Sequence, residues 1–319
     1  MKQKVNSRLG TVGGQAVLEG VMMKTSHHYA VSARAPTGAI ETKVLPFAAL
    51  SEKCSALSLP ILRGAVLFFQ MLSLGQTALQ ISSELALTEE ENAPSKFELW
   101  LSKALGKNFT AALTGLSCVL GVILSIALFI FLPAAIVTGI ESIPQVNLGW
   151  AKNLLEGAVR VLLFIGYLLL ISKIPDMKRT FEYHGAEHKV VFCYEAGDAL
   201  TPEHAQEYPR FHPRCGTSFL FVMILIGILF YSLPWFSWSS VWERTLTKLL
   251  FFPFIAGLGY EFIRFAGKHP DNRMIQSLSR PGLWMQRITT KEPSRAQLEV
   301  AIAAMQAVLS ETKSETIIN

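Results

Sequence analysis

Residues 111–137 read AALTGLSCVLGVILSIALFIFLPAAIV, 27 residues without a charge. As a helix this stretch is about 40 Å long, more than the roughly 30 Å hydrocarbon core of a bilayer. A helix that is apolar on every side belongs in a large protein core or in a membrane. Three more apolar stretches follow in a chain of only 319 residues, at 154–174, 217–234 and 249–265. The expected class is therefore a membrane α-helical protein with about four transmembrane helices. The second stretch carries Glu156 and Arg160 at i, i+4, a spacing that favours an ion pair. The fourth carries Glu261 and Arg264 near its end. Ionisable groups in such segments are costly and tend to pair or to line polar cavities, and Glu261 is the stronger functional candidate.

Charge asymmetry orients the chain. Eleven Lys and Arg precede the first stretch, one stands between the first two, six lie from Lys173 to Cys215, and eight from Arg264 onward. This pattern places both termini and residues 173–215 on the cytosolic side of the membrane. A further apolar stretch, 60–87, has a narrow polar stripe at Arg63, Gln70, Ser73, Thr77, Gln80 and Glu84. It is expected to be interfacial or re-entrant rather than spanning.

The remaining segments supply a small cytosolic α+β part. Residues 1–59 form a β-rich region, in which HYAVSARAP and AIETKVLPF flank a Pro-Thr-Gly connector and read as a hairpin. Residues 88–110 form a linker around EENAPSK. Residues 111–174 and 216–266 hold the two pairs of spans. The tail, 267–319, has a soluble helix with a capping box at Ser294 and Gln297. Its apolar stripe is Leu298, Ala301, Ile302, Met305, Val308 and Leu309, and its last residues are expected to be disordered. Four scattered cysteines give no disulfide framework. There is no secretory signal, no internal repeat, no glycine-rich phosphate loop and no pattern pointing to nucleic acid.

The chemistry concentrates in 175–215. YHGAEHK places His184 and His188 one helical turn apart, and HPRC places His212 and Cys215 three apart. Zinc takes nitrogen and sulfur ligands in a tetrahedral set, so these four residues make a His3Cys candidate. Composition alone would produce the His-x-x-Glu-His spacing about 0.01 times in a chain like this one. That spacing is also the inverted zinc-peptidase motif, which would make Glu187 the general base. Gly185 weakens the helix that motif needs. The alternative is that these groups cap helices or bind lipid phosphates beside Lys178, Arg179 and Lys189. His204 reads as solvated, Cys193 as packed, and His269 as a loop residue. GGQAVLEGVMM holds Gln15 and Glu19, either a site loop that brings Glu19 to a metal or substrate, or a tight turn into a strand. RPGLWMQRITTKEP, with Arg280, Trp284, Gln286 and Arg287, suggests headgroup contact or a segment that docks the tail.

The motifs GGQAVLEGVMM, YHGAEHK, HPRCGTSF, YEFIRFAGK and PGLWMQRITTKEP resemble the bacterial YqhQ-like family, the domain of unknown function numbered 1385, over about residues 8–309. The resemblance implies a multi-pass membrane protein labelled as a metal-dependent enzyme, without naming a reaction. Two functions remain open. One is a zinc-dependent enzyme, a hydrolase acting on a membrane-proximal or lipid-linked substrate, with Glu187 or Glu19 as base. The other is a non-catalytic factor that assembles or scaffolds other membrane proteins, with a structural metal. A transporter would show broken helices and paired repeats, and the sequence has neither.

Overall fold

The N-terminal region is β-rich as expected, with the expected hairpin as its last two strands and two further strands before it. Strands β1 (Gly13–Val17), β2 (Gly20–Lys24), β3 (His28–Arg34) and β4 (Ile40–Pro46) form one antiparallel sheet in sequence order. The computed structural model describes residues 8, 10–50, 55–88, 109–149, 151–233, 235–236, 238, 240–268 and 272–318. EENAPSK and His269 lie outside them. The chain divides into two compact units, one of residues 1–87, 168–223 and 253–319, the other of 88–167 and 224–252.

In the first unit the sheet sits between helices. Side chains alternate across a strand, and both faces here are apolar. Val12, Val21, Met23 and Ala30 pack on α5 (Pro175–Ala196) and α10 (Arg295–Ile318). Val17, Met22, Tyr29 and Val31 pack on Leu74, Ala78 and Ile81 of α1 (Leu62–Ala86). Helix α10 lays its expected stripe on the sheet, with Leu298, Ala301, Met305 and Val308 fully buried. Its capping box forms: Gln297 N–H donates to Ser294 Oγ, and Ser294 N–H to Gln297 Oε1 at 2.8 Å. The helix continues to Ile318, so the end expected to be disordered is helical.

Helix α5 is polar yet long. Pro175 opens it, Asp176 sits in its first turn, and left-handed Gly197 (φ 89) closes it. Gly185 does not interrupt it, because another segment depends on that glycine. A Cβ at Gly185 would stand 2.0 Å from the Lys291 carbonyl oxygen, and Lys291 N–H donates to Phe181 C=O at 2.8 Å. Residues 289–291 thus cross α5 where it has no side chain. Gly185→Ala is expected to push this crossing away and to lower stability by about 1–3 kcal/mol, read by thermal unfolding against a Gly166→Ala control, where nothing lies within 4 Å of the added methyl.

Among the described residues four helices are long and apolar enough to cross a membrane: Leu62–Ala86, Gly115–Glu141, Ala151–Ile171 and Val241–Gly267. The number matches the expected four, but the membership differs. The expected third span is α7 (Gly216–Tyr231), only 16 residues or about 24 Å, and α1 qualifies in its place. Within the first unit, α1 contacts other helices along its first half, where Gly64 lies against Tyr260 and Phe68 against Phe219. Its second half lies on the sheet.

In the second unit the first apolar stretch forms α2 (Phe109–Ile126), a π-helical turn (Ala127–Phe131) and α3 (Leu132–Glu141). Pro133 has no N–H for the carbonyl four residues earlier, that of Phe129. Arg160 of α4 (Ala151–Ile171) donates to this carbonyl instead, Nε to O 2.7 Å. Helix α8 (Val241–Lys268) begins eight residues before the expected 249. Arg244 and Lys248, which precede that expected start, lie inside it. Both bond Glu156, which also holds the expected partner Arg160 at 2.7 Å.

Candidate metal centre

Helix α5 carries His184, Glu187 and His188. The loop after α6 (Pro202–Glu207) delivers Cys215 at the entrance of α7. One ligand atom from each of His184, His188 and Cys215 lies within 4.8 Å of the other two, and His184 Nε2 is 3.2 Å from Cys215 Sγ. Among the described residues this is the one such group of three.

The outer nitrogens of both rings are held by backbone. His184 Nδ1 is 2.8 Å from the Thr289 carbonyl oxygen, and His188 Nδ1 is 2.5 Å from that of Arg210. A carbonyl oxygen only accepts, so each Nδ1 carries a proton and each Nε2 is the ring atom left to face a metal. This is the arrangement that orients histidines for a metal. Burial pushes the Cys215 thiol up, but the His184 and His188 imidazoles outweigh it and hold its pKa well below the usual thiol value. Burial likewise pulls His184 down, while the facing sulfur more than reverses this and lifts it to about 9. A thiolate beside imidazole nitrogens is a donor set suited to zinc.

Glu187 lies beside the triad and is buried. Burial raises its pKa, an effect that the two histidines only partly oppose. Gly14 makes room for it, since a Cβ there would stand 2.8 Å from Glu187 Cγ. The Gly-Gly step of β1 therefore lets α5 approach the sheet at the position of the carboxyl group.

Several candidates are placed elsewhere. His212 stands beside the triad, its ring 5.5 Å from that of His188, but its Nε2 faces Glu195 Oε2 at 3.8 Å. Glu195 also pairs with Arg214 and accepts from Gly10 N–H. Gln286, expected among headgroup-contacting residues, is fully buried. It clamps His212 by accepting from its N–H and donating to its C=O, both at 2.7 Å. Glu19 occupies the β1–β2 turn at φ 48 and forms a two-pronged ion pair with Arg179. Gln15 lies on the opposite sheet face from Gly14, against Gly75 of α1. Glu261 is paired with Arg63 of α1, and Arg264 is exposed. His204 is exposed and Cys193 buried, as expected. Thr217, whose Oγ1 is 3.2 Å from Cys215 Sγ, is a neighbour that sequence reasoning passed over, because a threonine after Cys-Gly carries no ligand signal.

Helices apolar enough for a bilayer, joined to a sheet-and-helix sandwich that holds a His2Cys cluster, describe a candidate metal-binding membrane protein. The chain belongs to the family described as protein of unknown function DUF1385, whose model matches residues 59–311. It is 33% identical over 298 residues to the uncharacterized protein YqhQ of Bacillus subtilis (strain 168), covering 93% of this chain and 92% of that protein. No solved structure matches.

Proposed function

We propose that this chain is a multi-pass membrane protein holding a zinc ion on His184, His188 and Cys215, and that the centre is hydrolytic. The carrying observation is the triad with both Nδ1 atoms tied to carbonyls, because it aims two lone pairs and a thiolate at one point. Three protein ligands leave one tetrahedral position for water or substrate, the pattern of catalytic rather than structural zinc. Zinc in such a site brings a bound water's pKa to near neutral and polarises a carbonyl or phosphoryl oxygen. Glu187, buried beside the triad with a raised pKa, is suited to accept and return that water's proton. The charge pattern supports a cytosolic position for this face, and its closeness to the start of α7 at Gly216 supports a position near the apolar helices. A membrane-proximal or lipid-linked substrate fits that position. Packing of the second half of α1 on the sheet supports an interfacial course for that helix.

A second reading, a structural metal in an assembly factor, is favoured by burial. His188 is 2% exposed and Cys215 5%, and the centre ties α5 to the 208–215 loop. Cobalt substitution separates the two. In an enzyme, azide enters the open position and shifts the visible bands of the Co²⁺ protein, and Glu187→Gln keeps those bands while losing the proton acceptor. Bands insensitive to azide and to other small anions would favour the staple.

A further inference from the structure

We infer that the exposed face of α9 (Arg273–Thr289) is a docking surface for the headgroup of an anionic phospholipid. The helix sequence RMIQSLSRPGLWMQRIT contains three arginines and no acidic residue. Arg280 and Arg287 are two turns apart, hence on one face, and Trp284 lies between them, 49% exposed. Both arginines are exposed, and neither has an ion pair among the described residues. Arg63 is paired with Glu261, Arg179 with Glu19 and Arg214 with Glu195 in the same unit, while Arg264 is exposed as Arg280 and Arg287 are. The α9 face thus sets two exposed arginines on either side of an exposed tryptophan, without the carboxylate partners that Arg63, Arg179 and Arg214 have.

Two anchors place this face beside the apolar helices. Helix α9 follows α8 after a connection of four residues, 269–272, so its first residue is at most about 18 Å from the end of that candidate span. Its opposite face is pinned to the start of α7, with Gln286 Nε2 donating to Ser218 Oγ at 2.9 Å. A helix held at the mouths of two apolar helices, with arginines and a tryptophan outward, matches the chemistry of a bilayer surface. Tryptophan settles at the headgroup level, and arginines bind phosphates through paired N–H groups. The inference rests on the reading that α2–α3, α4 and α8 cross a bilayer.

The test uses the full chain in nanodiscs of phosphatidylcholine, with increasing phosphatidylglycerol brominated on its acyl chains. Wild-type tryptophan emission is expected to be quenched as phosphatidylglycerol rises, and Trp284→Phe to remove that component. Arg280→Gln/Arg287→Gln is expected to shift the half-quenching point by about 30-fold, from about fivefold per arginine, with unchanged circular dichroism and unfolding temperature. Equal quenching by brominated phosphatidylcholine, or an unchanged phosphatidylglycerol dependence in the double variant, overturns the docking surface alone. A chain that stays soluble without detergent overturns the membrane reading and this inference together.

Discussion

Cys215→Ser, His184→Ala and His188→Ala are each expected to strip zinc from the purified protein, while His212→Ala keeps it. The contrast follows from geometry rather than residue type. Three donors converge within 4.8 Å, whereas His212 turns its Nε2 to Glu195. Loss of an outer partner of a metal ligand alone costs about 10–100-fold in affinity. Loss of one of three ligands costs more, enough for the metal to be removed during purification. Serine at 215 keeps the volume of cysteine and offers no soft thiolate. The measurement is elemental analysis of detergent-purified protein, normalised to chain concentration. Wild type should carry about one zinc per chain, as a single three-ligand centre implies. Wild-type protein without stoichiometric metal would overturn the centre. A His212→Ala variant without metal would instead restore the four-ligand set that sequence spacing suggests.

That difference shows which parts of the site a sequence makes legible. His184 and His188 are found from local geometry, since positions i and i+4 share a helix face. The expectation that Gly185 weakens this helix fails because helix propensity is a weak prior that tertiary contacts override, here the crossing carbonyl of Lys291. The role of His212 is set by Gln286, 74 positions away, and no spacing rule within HPRC can reveal that clamp. Cys215 and His212 are equivalent in a motif and distinct in the fold. The same limit explains the helix boundaries. Hydropathy starts the fourth stretch after Arg244 and Lys248, and their bonds to Glu156, 88 and 92 positions earlier, let both lie inside α8. The hairpin of HYAVSARAP and AIETKVLPF and the start and stripe of the tail helix are legible, because turn residues, apolar spacing and a capping box are all local. The direction of α1 is not, because its stripe is equally compatible with a sheet, a bilayer surface or a bundle.

Glu156→Gln is expected to be the most destabilising single change in the second unit. Glu156 is 2% exposed and is the shared partner of Arg160, Arg244 and Lys248. Arg160 Nη2 and Arg244 Nη1 reach it at 2.7 and 3.1 Å, and Lys248 Nζ also bonds it. Guanidinium groups stay charged in proteins, so neutralising the carboxylate leaves at least two like charges buried together. Breaking a buried pair by removing one partner costs about 3–5 kcal/mol, or about 6–20 °C in unfolding temperature for a domain of 150–250 residues at about 2–4 °C per kcal/mol. The converse changes are much milder. Lys248→Met leaves Glu156 with two guanidiniums and lowers the local charge excess, so it should cost less than Glu156→Gln. Arg160→Met is intermediate, because it also withdraws the donor that replaces the missing N–H of Pro133 at Phe129 C=O. Adding Lys248→Met to Glu156→Gln should recover part of the loss, a coupling that only contacting residues show. Thermal unfolding of the four variants in one detergent gives the ordering. A Glu156→Gln effect no larger than that of Lys248→Met would mean that the carboxylate does not hold these helices together.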